Sequence, residues 1–418
     1  MTPVCIAAKG ARMASKHNDT STATAAPISG YAKLCIALLT LLGFSLGCSE
    51  FIVIGIQPEL AESLGIPLAQ AGMFMSVFSV TYAVATPVLA LGTGRIPRFR
   101  LLIGYAVLFI LGNAVSAAAG SFEVLLVARV LIGLVSGALL AVGVTYIPEL
   151  VGMGNTSMCI SVVYAAFSVA MVVATSVGKL LAASVGWHYA LLGTLGLSVV
   201  VCAALVALLP REGAADIPAS AREQLPLLRD PRCLCGMAIF VFGVGSVYTF
   251  YGYVTPYLED VLGLDAVSAS TVLMAYGAMT FISNLASGWI DARFGVKALV
   301  ATFPLQGLLL FALFCVGPVA GAAVPIILGI GLSMYFVSVP CVSLFMTTAA
   351  QEYPQALTLA SSLEPTAFNT GIAFGSAVGG AVLSGIGITY VGAMGAVFAL
   401  IACGLAAVTV RVARRRAR

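Results

Sequence analysis

The sequence predicts an all-α membrane protein of twelve transmembrane helices arranged six and six. Three observations carry that prediction. The chain of 418 residues is 61% hydrophobic and only 9% charged, with a mean hydropathy of +1.08, where a soluble domain carries about 25% charge. Most of its charges fall between apolar runs long enough to cross a bilayer, whose core takes about 20 helical residues. Finally, one sizeable polar segment, 211–232, separates the runs into two sets of six.

The first span is read over 34–56, an apolar run that closes at Gln57-Pro58-Glu59, where proline and charge return the chain to water. An acidic loop over 59–70 leads to a second span at 71–94 and a basic hairpin, Arg95-Ile96-Pro97-Arg98-Phe99-Arg100. The third span covers about 101–119 and the fourth 124–147. The fifth and sixth, about 158–181 and 189–209, are joined by Gly186-Trp187-His188. Beyond the polar segment, the seventh span is read at about 233–256 and the eighth at about 269–290, ending at Asp291. No charge separates Lys297 from Glu352, room for two spans turning near Gly317-Pro318. None separates Glu364 from Arg411, room for two more turning within 385–388.

Lysine and arginine fall in alternate connections, which sets orientation. One set holds Lys33, Arg95, Arg98, Arg100, Arg211, Arg222, Arg229, Arg232, Arg293, Lys297 and the terminal arginines. The other holds acids such as Glu59, Glu62, Glu259, Asp260 and Asp265. Both termini are therefore expected in the cytoplasm, and the chain in the plasma (inner) membrane. The organisation reads as a disordered tail over 1–30, a first half over 31–210, a linker over 211–232, a second half over 233–410 and a basic tail over 411–418. Ten cysteines lie mostly inside spans, without metal or redox spacing, and the two histidines, His17 and His188, lie outside them; neither a metal nor a cofactor is expected.

Ionisable groups at bilayer depth are costly and usually face a cavity or a partner. Glu50 is the one carboxylate inside the first span. It either packs neutral among polar neighbours or binds a proton or substrate on a transport path. Arg129 lies inside the fourth span and cannot lose its proton, so it requires a carboxylate, a carbonyl or water; a structural arginine–carbonyl clamp is the plainer alternative. Lys179, near the outer end of the fifth span, either snorkels to the headgroups or lines a cavity. Glu364 precedes Pro365 and either marks an exposed helix start or lines the path, if its helix begins near Gln355. Tyr253 is a candidate cavity wall among the aromatics of the seventh span, and Tyr82, Gln306 and Asn369 are weaker candidates. Gly133-x-x-x-Gly137 and the Gly371, Gly375, Gly379 ladder allow close helix approach, for sliding or for static packing.

These features together resemble the major facilitator superfamily, and within it the drug:proton antiporter branch, close to arabinose-efflux-permease-like exporters. The resemblance covers about 34–410. It rests on Ser49-Glu50-Phe51 and Pro58-Glu59-Leu60 at the first span, Arg95-Ile96-Pro97-Arg98 in the hairpin and Arg129-x-x-x-Gly133. It continues through Gly186-Trp187, Tyr253-Val254-Thr255-Pro256-Tyr257-Leu258, Asn284, and Asn369-Thr370-Gly371 with the glycines that follow. The family's loop motif has Gly94 where its aspartate belongs and Pro97 where its second glycine belongs. The second copy, from Ser287 through Asp291 and Arg293 to Gly295, keeps the acid with one extra residue. The fifth-span antiporter motif reads Ala174-Thr175-Ser176-Val177-Gly178.

The resemblance implies two pseudo-symmetric six-helix halves rocking about a midplane site, with Arg129 facing the cavity near the first span. It implies gating-loop roles for Arg95, Arg98, Asp291 and Arg293. The function expected is secondary transport of a small drug-like, sugar-like or metabolite solute, by efflux coupled to proton influx. The partners are then a small-molecule substrate, protons and the lipid bilayer, with no nucleic acid, and the protein is a monomer. An uncoupled facilitator or importer fits the same fold. An integral membrane enzyme is disfavoured, because no nucleophile with a base, clustered acid/histidine site or phosphate loop is visible.

Overall fold

The computed structural model describes residues 29–93, 96–151, 153–211 and 221–416. Among them, eleven continuous helical stretches are long and apolar enough to cross a membrane. The longest, Ala266–Val316, contains two helices, Ala266–Phe294 and Leu299–Val316. Gly295, at φ +55°, turns the chain between them, a conformation that glycine adopts without steric cost. That division restores the twelve spans read from the sequence.

In order, the spans are Gly30–Gly55, Met73–Gly92, Arg98–Ala117, Phe122–Val144, Met153–Val185 and Trp187–Leu208. The second set is Pro231–Tyr251, Ala266–Phe294, Leu299–Val316, a broken tenth span of Ala320–Ser333 and Ser338–Glu352, then Leu357–Gly385 and Val391–Arg416. Packing repeats with a shift of six. The first span lies on the fifth as the seventh lies on the eleventh. The second lies on the fourth as the eighth lies on the tenth, and the third on the sixth as the ninth on the twelfth. The halves meet through the fifth and eighth spans and, equivalently, through the eleventh and second.

Glycines set the closest approaches. A Cβ on Gly375 would lie 2.4 Å from the carbonyl oxygen of Gly245, and one on Gly133 would lie 2.6 Å from that of Phe78. The ladder of Gly371, Gly375 and Gly379 faces the seventh span of its own half, so its glycines serve packing within that half. Polar side chains supply the rest. Ser49 donates 2.9 Å to Asn113 Oδ1, and Gln306 donates 2.9 Å to the carbonyl of Gly243. The break in the tenth span frees backbone groups that hydrocarbon cannot satisfy. Ser283 and Ser287 of the eighth span accept from the amides of Tyr335 (2.9 Å) and Val339 (3.1 Å).

Several local expectations change. The acidic loop begins with a helix, Gln57–Leu64, which Pro58 opens near its N-terminus as proline's fixed φ favours. The last span runs on through Arg416. The linker ends in short turns, Ala221–Gln224 and Leu225–Arg229, and Pro231 already belongs to the seventh span, capped by Asp230. Of the tail read over 1–30, residues 1–28 lie outside the described residues, as does Arg95 of the hairpin.

Candidate substrate and coupling site

The two ends of the bundle differ, and they are named here by the charge of their connections: an acidic end and a basic end. At the acidic end the halves are sewn together. The seventh span stops at Tyr251, and a turn through Gly252 redirects the chain into Val254–Pro256. That turn brings Thr255 Oγ1 to 2.6 Å from the Ile54 carbonyl of the first span, and Ser270 donates 2.9 Å to Ser176 O. Gln57 donates 2.9 Å to Gly252 O and accepts from Gly72 N at 3.1 Å. Tyr253 is fully buried here, its hydroxyl donating 3.0 Å to Ser376 O and its ring filling the space beside Gly72 and Gly380.

Lys179 fastens this seal. Its ammonium lies 2.5 Å from Glu59 of its own half and 2.6 Å from Glu259 of the other, with its side chain only 2% exposed. Burial pushes the Glu259 carboxyl above the ordinary carboxylate range, although Lys179 beside it pulls the other way. Glu259 sits in a π-type turn, Tyr257–Val261, beyond the end of the seventh span.

Deeper in the bundle lies a group of acids and tyrosines drawn from both halves. The Glu50 side chain is buried, and its carboxyl group joins none of the hydrogen bonds or ion pairs found among the described residues. Glu364 has no ion-pair partner there either. Its helix begins at Leu357, which places Glu364 two turns inside the eleventh span rather than at an exposed start. Tyr82 of the second span and Tyr335 in the break of the tenth lie within electrostatic reach of both acids. Tyr335 stacks on Phe368 (5.6 Å, 12°), and Phe368 meets Tyr248 edge-on at 6.3 Å. Tyr251 stacks on Tyr276 at 4.7 Å.

Arg129 does not pair with the Glu50 carboxylate. Its guanidinium spreads over three backbone carbonyls: Ser49 (2.5 Å), Glu50 (2.9 Å) and Phe74 (3.2 Å). The Phe78 ring lies 4.6 Å from it, a cation–π contact that supplements those bonds. The planar five-donor fork suits such a task. Arg129 therefore ties the fourth span to the first and second, as in the clamp alternative, while its charge still reaches Glu50 through space.

The family model of the Major Facilitator Superfamily matches residues 39–364. The chain belongs to the major facilitator superfamily. The MFS-type transporter YtbD of Bacillus subtilis (strain 168) is 29% identical over 353 residues, covering 84% of this chain and 89% of that one. The inner membrane transport protein YdhP of Escherichia coli (strain K12) is 28% identical over 375 residues, with 89% and 94% covered. A bacterial homologue of the human lysosomal transporter Spinster, in an inward-facing and occupied conformation, superposes with a TM-score of 0.75. At 15% identity over 92% of this chain and 98% of that one, it speaks for the fold. Family membership carries membrane embedding and a small-molecule substrate with it.

Against this major facilitator frame, two site expectations are corrected. Tyr253 does not line the cavity, because the turn at Gly252 carries it into the seal at the acidic end. Lys179 neither snorkels nor lines a cavity, because two carboxylates from opposite halves hold its ammonium inside the protein. Asn369 is buried on the eleventh span, its amide nitrogen donating 3.2 Å to Pro365 O and its Oδ1 without a partner. Among the described residues, the contacts found for Arg98, Asp291 and Arg293 lie within their own halves. Arg98 bonds to Glu149 and to Thr145 O beyond the fourth span, and lies over the Tyr146 ring. Asp291 accepts from Ser343 at 2.6 Å, tying the eighth span to the tenth, and Arg293 lies over Trp289.

Sequence reasoning passed over Glu59 and Glu259 as partners of Lys179 and over the stack of Tyr335 on Phe368, and it met Tyr248 only as one of the seventh-span aromatics. A usable signal existed for the first pair: one lysine near the outer end of a span, facing loops that hold only acids. For the aromatics, membership in a span did not disclose which face they take.

Proposed function

We propose that this major facilitator is a proton-coupled secondary exporter of a small solute, working by alternating access. The observation that carries the reading is the pair of acids, Glu50 and Glu364, inside the spans without ion-pair partners among the described residues. A carboxylate that exchanges a proton as substrate binds and leaves needs such a place, without a direct ion pair and reached in turn from each side. The halves, taken as 31–210 and 233–410, rock about the midplane, and the seal at the acidic end is one closed gate. With the basic segments cytoplasmic, both termini face the cytoplasm and the acidic end faces outward. The chain works as a monomer in the plasma membrane.

The decisive measurement is proton release when a transported solute is added to purified protein, across a panel of sugars, amino acids and amphipathic cations. Glu50→Gln keeps size and hydrogen bonding but cannot titrate, and is expected to abolish the release while retaining energy-independent exchange. Glu50→Asp retains part of it. Release from Glu50→Gln equal to the parent's would move coupling away from this residue, and no release from the parent would make the protein an uncoupled facilitator. Orientation has its own test in a cysteine-free background. Cysteines at Ser63 and Asp265 should react with impermeant reagents added to intact cells, and one at Ser220 should not.

A further inference from the structure

The first and fifth spans cross where Gly43 and Gly47 leave room for them. A Cβ on Gly43 would lie 2.7 Å from the carbonyl oxygen of Val163, and one on Gly47 would lie 2.7 Å from the Ala170 Cβ. Between that crossing and the basic end, the two helices border a groove of about 570 Å³. Lys33, Ala37, Thr40 and Leu41 line it from the first span, Cys159 and Val162 from the fifth. Lys33 is the one charged residue of that lining. It is exposed, and its ammonium joins no hydrogen bond or ion pair among the described residues. Thr40 turns its hydroxyl to the Ile36 carbonyl, 2.8 Å away, so the wall below Lys33 is apolar.

The groove faces away from the candidate transport site. Leu41 precedes Glu50 on the same helix by about two and a half turns, which sets the two on opposite sides of the span. Its length suits one leaflet of a bilayer. From Lys33 to Leu41 the helix rises about 12 Å, against about 15 Å for half of a hydrocarbon core. A soluble anion would find one lysine above an apolar wall. A zwitterionic lipid would bring a cation of its own against that lysine. An anionic phospholipid gains at both ends, its phosphate against Lys33 and its chain along the wall.

We propose that the groove between the first and fifth spans seats an anionic phospholipid from the leaflet at the basic end, with its phosphate on Lys33 and one acyl chain along Ala37, Leu41 and Val162. The site lies off the transport path and needs neither Glu50 nor Glu364, so it stands apart from the proton-coupled reading.

The test uses the full-length protein in a cysteine-free background, carrying a fluorescent maleimide at one introduced cysteine. Met158→Cys places the label on an exposed position beside the groove, and Leu308→Cys places it on the exposed face of the ninth span as a reference. Each protein is reconstituted into mixed vesicles of phosphatidylcholine and phosphatidylglycerol, in which one lipid or the other carries brominated chains that quench on contact. The label beside the groove should report about fivefold higher relative affinity for phosphatidylglycerol, the size of one lysine–headgroup attraction. The reference label should report no preference. Lys33→Gln should remove the preference and Lys33→Arg should keep it, with thermal unfolding matched to the parent showing that a loss is not misfolding. The proposal is overturned if the label beside the groove shows no preference, if the reference shows the same one, or if Lys33→Gln leaves it intact. Absence of quenching by either lipid beside the groove overturns it too, since a second copy or another protein would then cover that face.

Discussion

The ammonium of Lys179 lies 2.6 Å from the carboxylate of Glu259, and that contact joins the fifth span of one half to the turn after the seventh span of the other. With Glu59 at 2.5 Å on its near side, Lys179 is a buried cation shared by two acids that each keep about a fifth of their side-chain surface in solvent. Losing one member of a buried ionic group costs more than the group's net worth, because the rest stay behind unpaired.

Lys179→Met should therefore open the acidic end. The partial exposure of both acids limits the effect, and a shift of about tenfold toward the open form is expected, equivalent to about 1.4 kcal/mol. Spin-label distances between cysteines at Ser63 and Asp265 provide the readout. The charge-reversed pair Lys179→Glu with Glu259→Lys should restore part of the closure, whereas unchanged distances in Lys179→Met would remove the lysine from the gate.

The same distances should depend on pH. Glu259 holds its proton more tightly in the closed form, where it is partly buried, than in an open form where water surrounds it. Between the ordinary carboxylate value, about 4.3, and the raised value, the closed form binds more protons, so its stability falls as pH rises through that window. Acidification should favour closure. In Lys179→Met burial persists without the opposing attraction, so the dependence should steepen. A flat profile for both proteins would contradict this.

Arg129→Lys should damage folding as well as transport. A lysine cannot span the carbonyls of Ser49, Glu50 and Phe74 at once, and each hydrogen bond from a charged donor contributes about 1.5–3 kcal/mol. Thermal unfolding in detergent should show a lowered midpoint along with lost transport. Lost transport at an unchanged midpoint would point to a role in the cycle alone.

Gly375→Ala should destabilise the second half by about 1–3 kcal/mol, the usual cost of overpacking. Its Cβ would press on backbone, the Gly245 carbonyl at 2.4 Å, which cannot rotate aside. Gly404→Ala, in open space on the twelfth span, is the control and should be neutral or slightly stabilising. Equal midpoints for the two variants would mean that the seventh and eleventh spans part more easily than their contact suggests.

The spans were legible because apolar run length and the position of charge are properties of the linear chain, and a bilayer reads them directly. What escaped depends on direction. Glu59 lies 120 residues from Lys179, and only folding shows that the two meet. The helix of Gln57–Leu64 hid behind its charges. Arg129 was visible as a buried cation, but its residue type could not say whether it would turn to a carboxylate or to three carbonyls. For Glu364 the question was where its helix starts, and the structure answers it with Leu357.

The break in the tenth span bears on how the chain enters the bilayer. Facing lipid, the amide groups of Tyr335 and Val339 would each cost several kcal/mol without a partner. Ser283 and Ser287 supply those partners, and they belong to a helix that leaves the ribosome earlier. The tenth span is thus a poor membrane segment alone and an acceptable one beside the eighth. Synthesis order delivers the serines first.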